Sequence, residues 1–300
     1  MPDWLQRHSS LRSNDSSLNE TKSLSFANTE HGIEVLLTGA TSFLGGRLLR
    51  TLVLSPRVRK IHCIAVPPDD EHLLYQDDKV ERFSGSLLSS ASDLKEPSKS
   101  MLGLSEAERE RLEQAIDVII HAGSSGHCLN TYASLRTPNL LSTQLLASLA
   151  LRRSIPLLFV SSSRVALFSG DMAPPPGSVT RFPPPADGVE GFPSSKWASE
   201  VFLENLVALL NRQPKNFRAK TPWTVAVHRP CVLIGKQAPN SDALNAILRY
   251  SRSMRCVPQL SNIARGYLDF AEADTVADEI AETALRLSGC VAPGRPASTP

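Results

Sequence analysis

The stretch IEVLLTGATSFLGGRLLRTLVLS, residues 33–55, contains a short apolar run, a turn with glycines and a longer apolar pattern. The run IEVLL is rich in β-branched residues, which is typical of a buried parallel strand. After the turn, large apolar residues recur at the spacing of a helix face, at positions 43, 44, 48, 49 and 52. Residues 33–55 therefore predict a strand, a tight turn and a helix.

The alternation of short apolar runs and amphipathic stretches continues as far as residue 235. Further strands are predicted at 60–66, 80–87, 116–124 and 155–163, a strand that runs into a loop at 223–235, and helices at 105–115, 139–154 and 196–210. The proline-rich residues 171–188 predict a loop. Strands that alternate with helices in this way predict an α/β fold of the Rossmann type, a doubly wound parallel sheet with helices on both faces.

Composition and charge exclude several kinds of partner. The 32 basic and 30 acidic residues give a formal net charge of +2, which supplies no electrostatic case for nucleic acid or a membrane surface. The five cysteines, at 63, 128, 231, 256 and 290, are odd in number and widely spaced, which favours a reducing compartment over disulfides or a metal site. No apolar run reaches membrane-spanning length and no signal-peptide core is present, so we expect a cytoplasmic protein.

The turn TGATSFLGG places Gly39, Ser42 and Gly45 three residues apart between the first strand and its helix. Glycines in this context let the backbone approach a pyrophosphate at a helix N-terminus. The middle position is a serine here, whose side chain either crowds the phosphates or donates its hydroxyl to one. The turn predicts a phosphate-binding site, and an ordinary strand–helix turn with two glycines is the alternative.

Two later stretches carry side chains suited to catalysis. FVSSSRV, residues 159–165, ends a predicted strand in serines at the sheet edge where such folds bind ligands, and Ser162 could hold a substrate carbonyl oxygen there. GFPSSKW, residues 191–197, places Lys196 where its ammonium could reach a nucleotide ribose. Taken separately, each stretch has an ordinary explanation: the serines of FVSSSRV would simply end a strand, and Lys196 would be a solvated lysine at a helix start. Their joint occurrence, in this order after the glycine turn, is typical of a short-chain dehydrogenase site.

Several stretches also match one known family. They include VLLTGATSFLGGRLL, VIIHAGS, FVSSSRV and GYLDFAEADTVADEI, and the most specific of them are TYASLRTPN and SSKWASE. Over about residues 33–285 the chain resembles the terminal thioester reductase domains of polyketide and nonribosomal peptide synthetases. Within that family it is most similar to the domains of fungal hybrid synthetases, which are extended relatives of the short-chain dehydrogenases.

The resemblance implies both a substrate and a cofactor. Members take an acyl chain held as a thioester on a carrier protein's phosphopantetheine arm and reduce it with NADPH, releasing an aldehyde or alcohol. Some fungal members instead close a tetramic acid ring by Dieckmann condensation. Carried over by position, Ser162 would hold the thioester oxygen and Lys196 the ribose. The remaining cofactor-binding positions would be Thr38, Gly39, Thr41, Ser42, Phe43, Leu44 and Gly45.

Four positions depart from the family's pattern. Phe192 stands where the family has the tyrosine that delivers the proton of reduction, and Pro193 after it is expected to alter the helix start. Pro67 stands where members commonly carry an arginine for the 2′-phosphate of NADPH. Ser86 replaces an aspartate that often holds the adenine. These departures predict weakened hydride transfer and weak or lost NADPH binding.

The resemblance also divides the chain into segments. Residues 1–32 are expected to form a disordered tail or linker and residues 33–235 an NAD(P)-binding Rossmann-like domain. Residues 236–290 would form a small, truncated substrate lobe, and residues 291–300 a polar tail. Three functions stay open on this evidence: reductive release with a weakened site, redox-independent Dieckmann release, and a catalytically inactive relic or docking module. The sequence does not fix the oligomeric state.

Overall fold

The computed structural model describes residues 32–87, 102–126, 130–170, 177–187, 190–212, 223–239, 243–257, 259 and 269–289. The predicted tails at 1–32 and 291–300 lie outside the described residues, apart from Gly32. Cys128 and Cys290 also lie outside them, as do parts of the predicted proline-rich loop and substrate lobe.

Strands and helices alternate along the described chain. The strands are β1 (Ile33–Thr38), β2 (Val58–Val66), β3 (Val80–Ser84), β4 (Val118–His121), β5 (Leu157–Val160), β6 (Val225–His228), β7 (Val232–Ile234) and β8 (Phe270–Glu272). The helices are α1 (Phe43–Leu54), α2 (Glu106–Ala115), α3 (Tyr132–Leu135), α4 (Ser142–Arg153), α5 (Gly191–Arg212), α6 (Ala243–Met254) and α7 (Ala273–Ser288). A π turn over Arg136–Leu141 joins α3 to α4, and 3-10 turns cover Pro68–Leu73 and Ser163–Ser169.

The central sheet has the order β3-β2-β1-β4-β5-β6, and all five of its strand pairs are parallel. This order confirms the predicted doubly wound α/β fold of the Rossmann type. The chain winds outward from β1 on one side and from β4 on the other, so the connections leave a crevice where these two strands meet. At the carboxyl edge Thr38 pairs in register with His121, which brings the turn after β1 beside the loop after β4.

Two apolar clusters cover the two faces of the sheet. On one face, leucines of α1 and the residues Ala277, Ile280 and Ala284 of α7 pack against the strands. On the other face, α2, α4 and α5 supply Leu112, Leu146 and Leu203. Helix α7 therefore packs against α1 on the Rossmann sheet, although it lies within the range assigned to a substrate lobe. The division of the chain at residue 235 stays a prediction.

Three predicted boundaries were wrong. Helix α5 begins at Gly191 rather than at Lys196, and Pro193 lies in its first turn, where backbone N–H groups have no intrahelical partner and a proline is tolerated. The expected disturbance of the helix start by Pro193 is therefore not observed. The helical stretch predicted from residue 139 begins at Tyr132, because the π turn accommodates Pro138. The stretch 223–235, predicted as a strand that runs into a loop, contains β6, a short loop and the second short strand β7.

Candidate functional site

A cleft of about 750 Å³ opens at the carboxyl edge of the sheet, around the crevice between β1 and β4. It brings together most of the site residues predicted from the sequence. Those that line it are Gly39, Thr41, Ser42, Phe43, Leu44, Ser162, Phe192 and Lys196. Pro67 and Ser86, two of the positions that depart from the family's pattern, line it as well. Segments far apart in the chain thus meet at one site.

The glycines of the turn after β1 let neighbouring segments of backbone approach each other closely. Gly39 has a φ of +77°, and a Cβ atom there would lie 2.6 Å from Cα of Gly123. A Cβ atom on Gly45 would lie 1.9 Å from the Gly39 carbonyl oxygen. The hydroxyl of Ser42 accepts a hydrogen bond from the Gly45 N–H at 3.0 Å and caps α1. Ser42 therefore caps the helix, and its hydroxyl proton is not used in that contact.

Two predicted cofactor residues, Thr38 and Gly45, do not line the cleft and instead support its floor. Thr38 is fully buried, and its hydroxyl accepts a hydrogen bond from the Gly123 N–H at 3.0 Å. The same hydroxyl lies 2.8 Å from Nδ1 of His121. Burial, with Lys196 nearby as the smaller cause, lowers the pKa of His121 to about 3. The imidazole is therefore neutral, and it joins the ends of β1 and β4.

Among the described residues that line the end of the cleft beside β2, none carries a positive charge for a 2′-phosphate. Pro67 and Asp70 line this end, whereas the basic lining residues Arg164 and Lys196 lie on the opposite side of β1 in the strand order. Arg47, the nearest basic residue on α1, is engaged elsewhere. Its guanidinium donates to the carbonyl oxygens of Phe43 and Lys236, and its Nε lies 3.1 Å from Asp274.

Ser162 follows β5 directly and lines the cleft. The neighbouring backbone is fixed, because the N–H groups of Ser161 and Ser163 donate to the carbonyl oxygens of His228 and Pro230 at 2.7 and 3.0 Å. The Ser162 hydroxyl accepts a weak hydrogen bond from the Arg164 N–H at 3.3 Å. The hydroxyl proton is not used in this contact, and the predicted role of Ser162, to hold a carbonyl oxygen, stays a prediction.

Lys196 is buried beneath the same stretch of chain, with 2 % of its surface exposed. Its Nζ donates to the Val160 carbonyl oxygen at 2.8 Å and lies 4.9 Å from the centre of the Phe159 ring. Glu200, one turn further along α5, is engaged with Arg229 through contacts of 2.6 to 3.1 Å. Burial lowers the pKa of the Lys196 ammonium to about 7, although Glu200 acts in the opposite direction.

The position of the expected tyrosine is filled by hydrocarbon. The Phe192 ring packs against Gly126, where a Cβ atom would come within 2.7 Å of it, and its centre lies 5.7 Å from Nζ of Lys196. The ring therefore stands beside the lysine but has no proton to give. The cleft offers a hydroxyl donor and a buried amine, and the proton donor that reduction uses in the family is missing from its place.

Asn139, in the π turn, is a positioning residue that the sequence reading missed. Its side-chain amide exchanges two hydrogen bonds of 2.8 Å with the backbone of Ser125, in the loop after β4. It also donates to the Ser195 hydroxyl at 2.8 Å. Asn139 thus ties the loop after β4 to α5, next to Lys196. It lies in TYASLRTPN, a stretch that the sequence marked as specific without indicating what the asparagine does.

We expect Asn139→Ala to lower the free energy of unfolding by about 2 kcal/mol, because it leaves part-buried backbone groups of Ser125 and the buried Ser195 hydroxyl without this partner. Urea denaturation followed by circular dichroism would measure the change. Asn205→Ala, at an exposed position of α5, is the matched control and should stay within about 0.5 kcal/mol of the parent. Equal midpoints for the two variants would contradict this role of Asn139.

A family model and several known proteins match most of this chain. The NAD-binding family model described as male sterility protein matches residues 37–280. The chain is 64% identical over 257 residues to the hybrid PKS-NRPS synthetase iliA of Neonectria sp., and 50% identical over 273 residues to the tenellin synthetase of Beauveria bassiana. Each match covers 86% of this chain and 6% of the synthetase. The chain therefore spans a small part of these relatives' length.

A shorter relative and two solved structures extend the comparison. The polyketide synthase-related protein Dhc1 of Alternaria cinerariae is 49% identical over 87% of this chain and 54% of its own length. The terminal R domain of the myxalamid PKS-NRPS pathway is 25% identical, with a TM-score of 0.59 over 83% of this chain and 62% of that domain. The PhqB reductase domain of Penicillium fellutanum is 22% identical, with a TM-score of 0.60 over 87% of this chain and 65% of that one.

Proposed function

The chain belongs to the NAD-binding male sterility protein family, and from this premise we propose that it releases a carrier-bound acyl thioester by ring closure rather than by reduction. The relatives named as hybrid PKS-NRPS synthetases support the substrate class. The partner would be a carrier protein whose phosphopantetheine arm delivers a β-ketoamide thioester to the cleft. The product would be a tetramic acid.

The observation that carries this proposal is the Phe192 ring, 5.7 Å from Nζ of Lys196, in the place of the proton donor. Dieckmann closure needs no such donor. It needs a carbanion at the carbon between two carbonyl groups, and a hydrogen-bond donor for the oxyanion that forms when this carbanion attacks the thioester. The Ser162 hydroxyl, on a backbone fixed by β6, supplies that donor. The thiolate of the carrier arm then leaves.

Reductive release with a weakened site is the second candidate, and the intact glycine turn favours it. The turn, the N-terminus of α1 and the close approach of Gly39 to Gly123 fit the pyrophosphate of a nicotinamide dinucleotide. Gly39, Thr41, Ser42, Phe43 and Leu44 would hold it, with Thr38 and Gly45 supporting the turn. Such a cofactor supplies hydride when bound. A non-catalytic relic or docking module is the remaining alternative.

We expect NADPH and NADH to bind with similar, weak affinities, because Pro67 gives the 2′-phosphate no positive charge and Asp70 lies beside it. Pro67→Arg should tighten NADPH binding by about tenfold, corresponding to about 1.4 kcal/mol, and leave NADH binding unchanged. Nicotinamide fluorescence titration would measure both affinities. Pro56→Arg, which adds the same charge at an exposed turn before β2, is the control. A strong NADPH preference in the parent protein would contradict the expectation.

The ring-closure proposal is tested by offering the protein a β-ketoamide thioester on pantetheine without nicotinamide. Release of a tetramic acid faster than from the substrate alone would support it.

In the part of the chain that the structure describes, no helix is long and apolar enough to cross a membrane. The cytoplasmic location expected from the sequence stays a prediction.

A further inference from the structure

The surroundings of Lys196 leave its amine without a counter-charge. Among the described residues, no carboxylate lies within ion-pair distance of Nζ. The amine instead contacts the Val160 carbonyl oxygen and lies over the rings of Phe159 and Phe192. A buried lysine normally has an acidic partner, because an uncompensated ammonium costs several kcal/mol to desolvate. Lys196 lines the cleft all the same.

The charged groups nearest to Lys196 come from three elements, and none of them neutralises it. His121 of β4 is fully buried and neutral, because burial keeps its pKa far below its usual value. Glu200 of α5 is fully buried and held by the guanidinium of Arg229, which follows β6. Arg229 also donates to the Gly177 carbonyl oxygen, which keeps the guanidinium on Glu200. The field of Glu200 at Lys196 is therefore offset by a cation.

The structure thus favours a lysine that gives up its proton readily. With a pKa of about 7, a large part of the population carries a neutral amine at neutral pH, whereas an ordinary lysine is charged there. The neutral amine donates one hydrogen to the Val160 carbonyl oxygen at 2.8 Å. That bond orients the nitrogen and leaves its lone pair as an acceptor.

We propose that Lys196 is the general base of ring closure and removes the proton from the carbon between the ketone and amide carbonyl groups. This inference rests on the proposed function. The C–H bond breaks and an N–H bond forms on Nζ. The carbanion then forms the new C–C bond at the thioester carbonyl, and the C–S bond breaks. The departing thiolate takes the proton from the Lys196 ammonium, so the protein returns to its starting state.

This role differs from the ribose contact that the sequence suggested for Lys196, and also from that of an oxyanion donor. A ribose contact or an oxyanion donor acts through the ammonium, whereas a base acts through the neutral amine. The Phe192 ring supports the role of base, because a hydrocarbon beside Nζ keeps the amine desolvated and so favours its neutral form. Phe192 would therefore be a positioning residue that maintains a weakly basic lysine.

The first experiment separates base from donor by substitution. Lys196→Met and Lys196→Arg should each slow ring closure by about a hundredfold to ten-thousandfold, because neither side chain accepts a proton at neutral pH. Lys60→Met, at the start of β2 far from the cleft, should keep the parent rate. If Lys196→Arg, folded as judged by circular dichroism, closes the ring at the parent rate, the lysine is a donor and the proposal is wrong.

The second experiment uses the unaltered protein and does not require ring closure. A β-ketoamide with an amide in place of the thioester cannot release the arm, and exchange of its acidic proton for deuterium is followed by NMR. We expect exchange to be about a hundredfold faster than in buffer. Below pH 7 the exchange rate that the protein adds to the buffer rate should fall about tenfold per pH unit as the amine protonates. An added rate that is absent, or flat from pH 5.5 to 8, would overturn the proposal.

The two experiments distinguish failure of the base from failure of the proposed function. Exchange that the protein accelerates with the expected pH dependence, without tetramic acid formation, would support Lys196 as a base and count against ring closure. Ring closure that is equally fast in the parent protein and in Lys196→Met would support ring closure as the function and overturn the role of Lys196 as its general base.

Discussion

Ser162→Ala should slow ring closure by about a hundredfold to a thousandfold, the usual cost of removing one oxyanion donor. The reason is that the Ser162 hydroxyl lines the cleft directly after β5, on a backbone that its neighbours fix to β6. A donor held in this way needs no reorganisation when charge develops on the thioester oxygen. Initial rates of tetramic acid release from a β-ketoamide pantetheine thioester would measure the loss.

The control for this substitution is Ser253→Ala, at an exposed position near the end of α6, which should close the ring at the parent rate. In Ser162→Ala the thermal midpoint should stay nearly unchanged, because the Ser162 hydroxyl accepts only a weak hydrogen bond, at 3.3 Å, from the Arg164 N–H. If Ser162→Ala releases product as fast as the parent protein, the oxyanion role fails and another donor must be sought.

Phe192→Tyr should raise nicotinamide-dependent reduction of a model acyl thioester by about a hundredfold to ten-thousandfold, the range a positioned proton donor contributes. The ring at this position lies 5.7 Å from Nζ of Lys196 and lines the cleft, so a hydroxyl on it would stand among the catalytic side chains. Consumption of NADH or NADPH by absorbance, with the aldehyde or alcohol product identified, would measure the gain.

Phe182→Tyr, in an exposed loop, adds the same hydroxyl away from the cleft and should leave reduction as slow as in the parent. A Phe192→Tyr protein that folds, binds the cofactor and still does not reduce the thioester would show that more than the proton donor has been lost. A parent protein that already reduces efficiently would contradict the assignment of ring closure as the main reaction.

The sequence predicted the fold well because the signals it relies on are local. The strand, the turn with Gly39 and the leucines of α1 lie within residues 33–55, where the strand is a continuous apolar run and the leucines recur with the period of 3.6 residues that helix geometry sets. The parallel direction of the strands could be predicted because strands and helices alternate along the chain. Boundaries were less predictable, because Pro193 and Pro138 look like helix breakers, although a first turn and a π turn accommodate them.

The site was predictable in its members but not in its chemistry. Ser162 and Lys196 could be selected from their order after the glycine turn, and Phe192 from its place four residues before Lys196, where the family has a tyrosine. The depressed pKa of Lys196 could not, because it depends on Phe159, His121 and Glu200, which the fold brings near it from separate elements. The role of Asn139 likewise depends on a loop 14 residues earlier and a helix 56 residues later.

The central claim is most directly tested by incubating the protein with a β-ketoamide pantetheine thioester in the absence of any nicotinamide. Tetramic acid and free thiol are followed over time against substrate alone at the same pH, because such substrates cyclise slowly unaided. Our account predicts release of tetramic acid well above that background, with one thiol freed for each ring closed. Release no faster than the background, or an aldehyde formed only when NADPH or NADH is supplied, would contradict it.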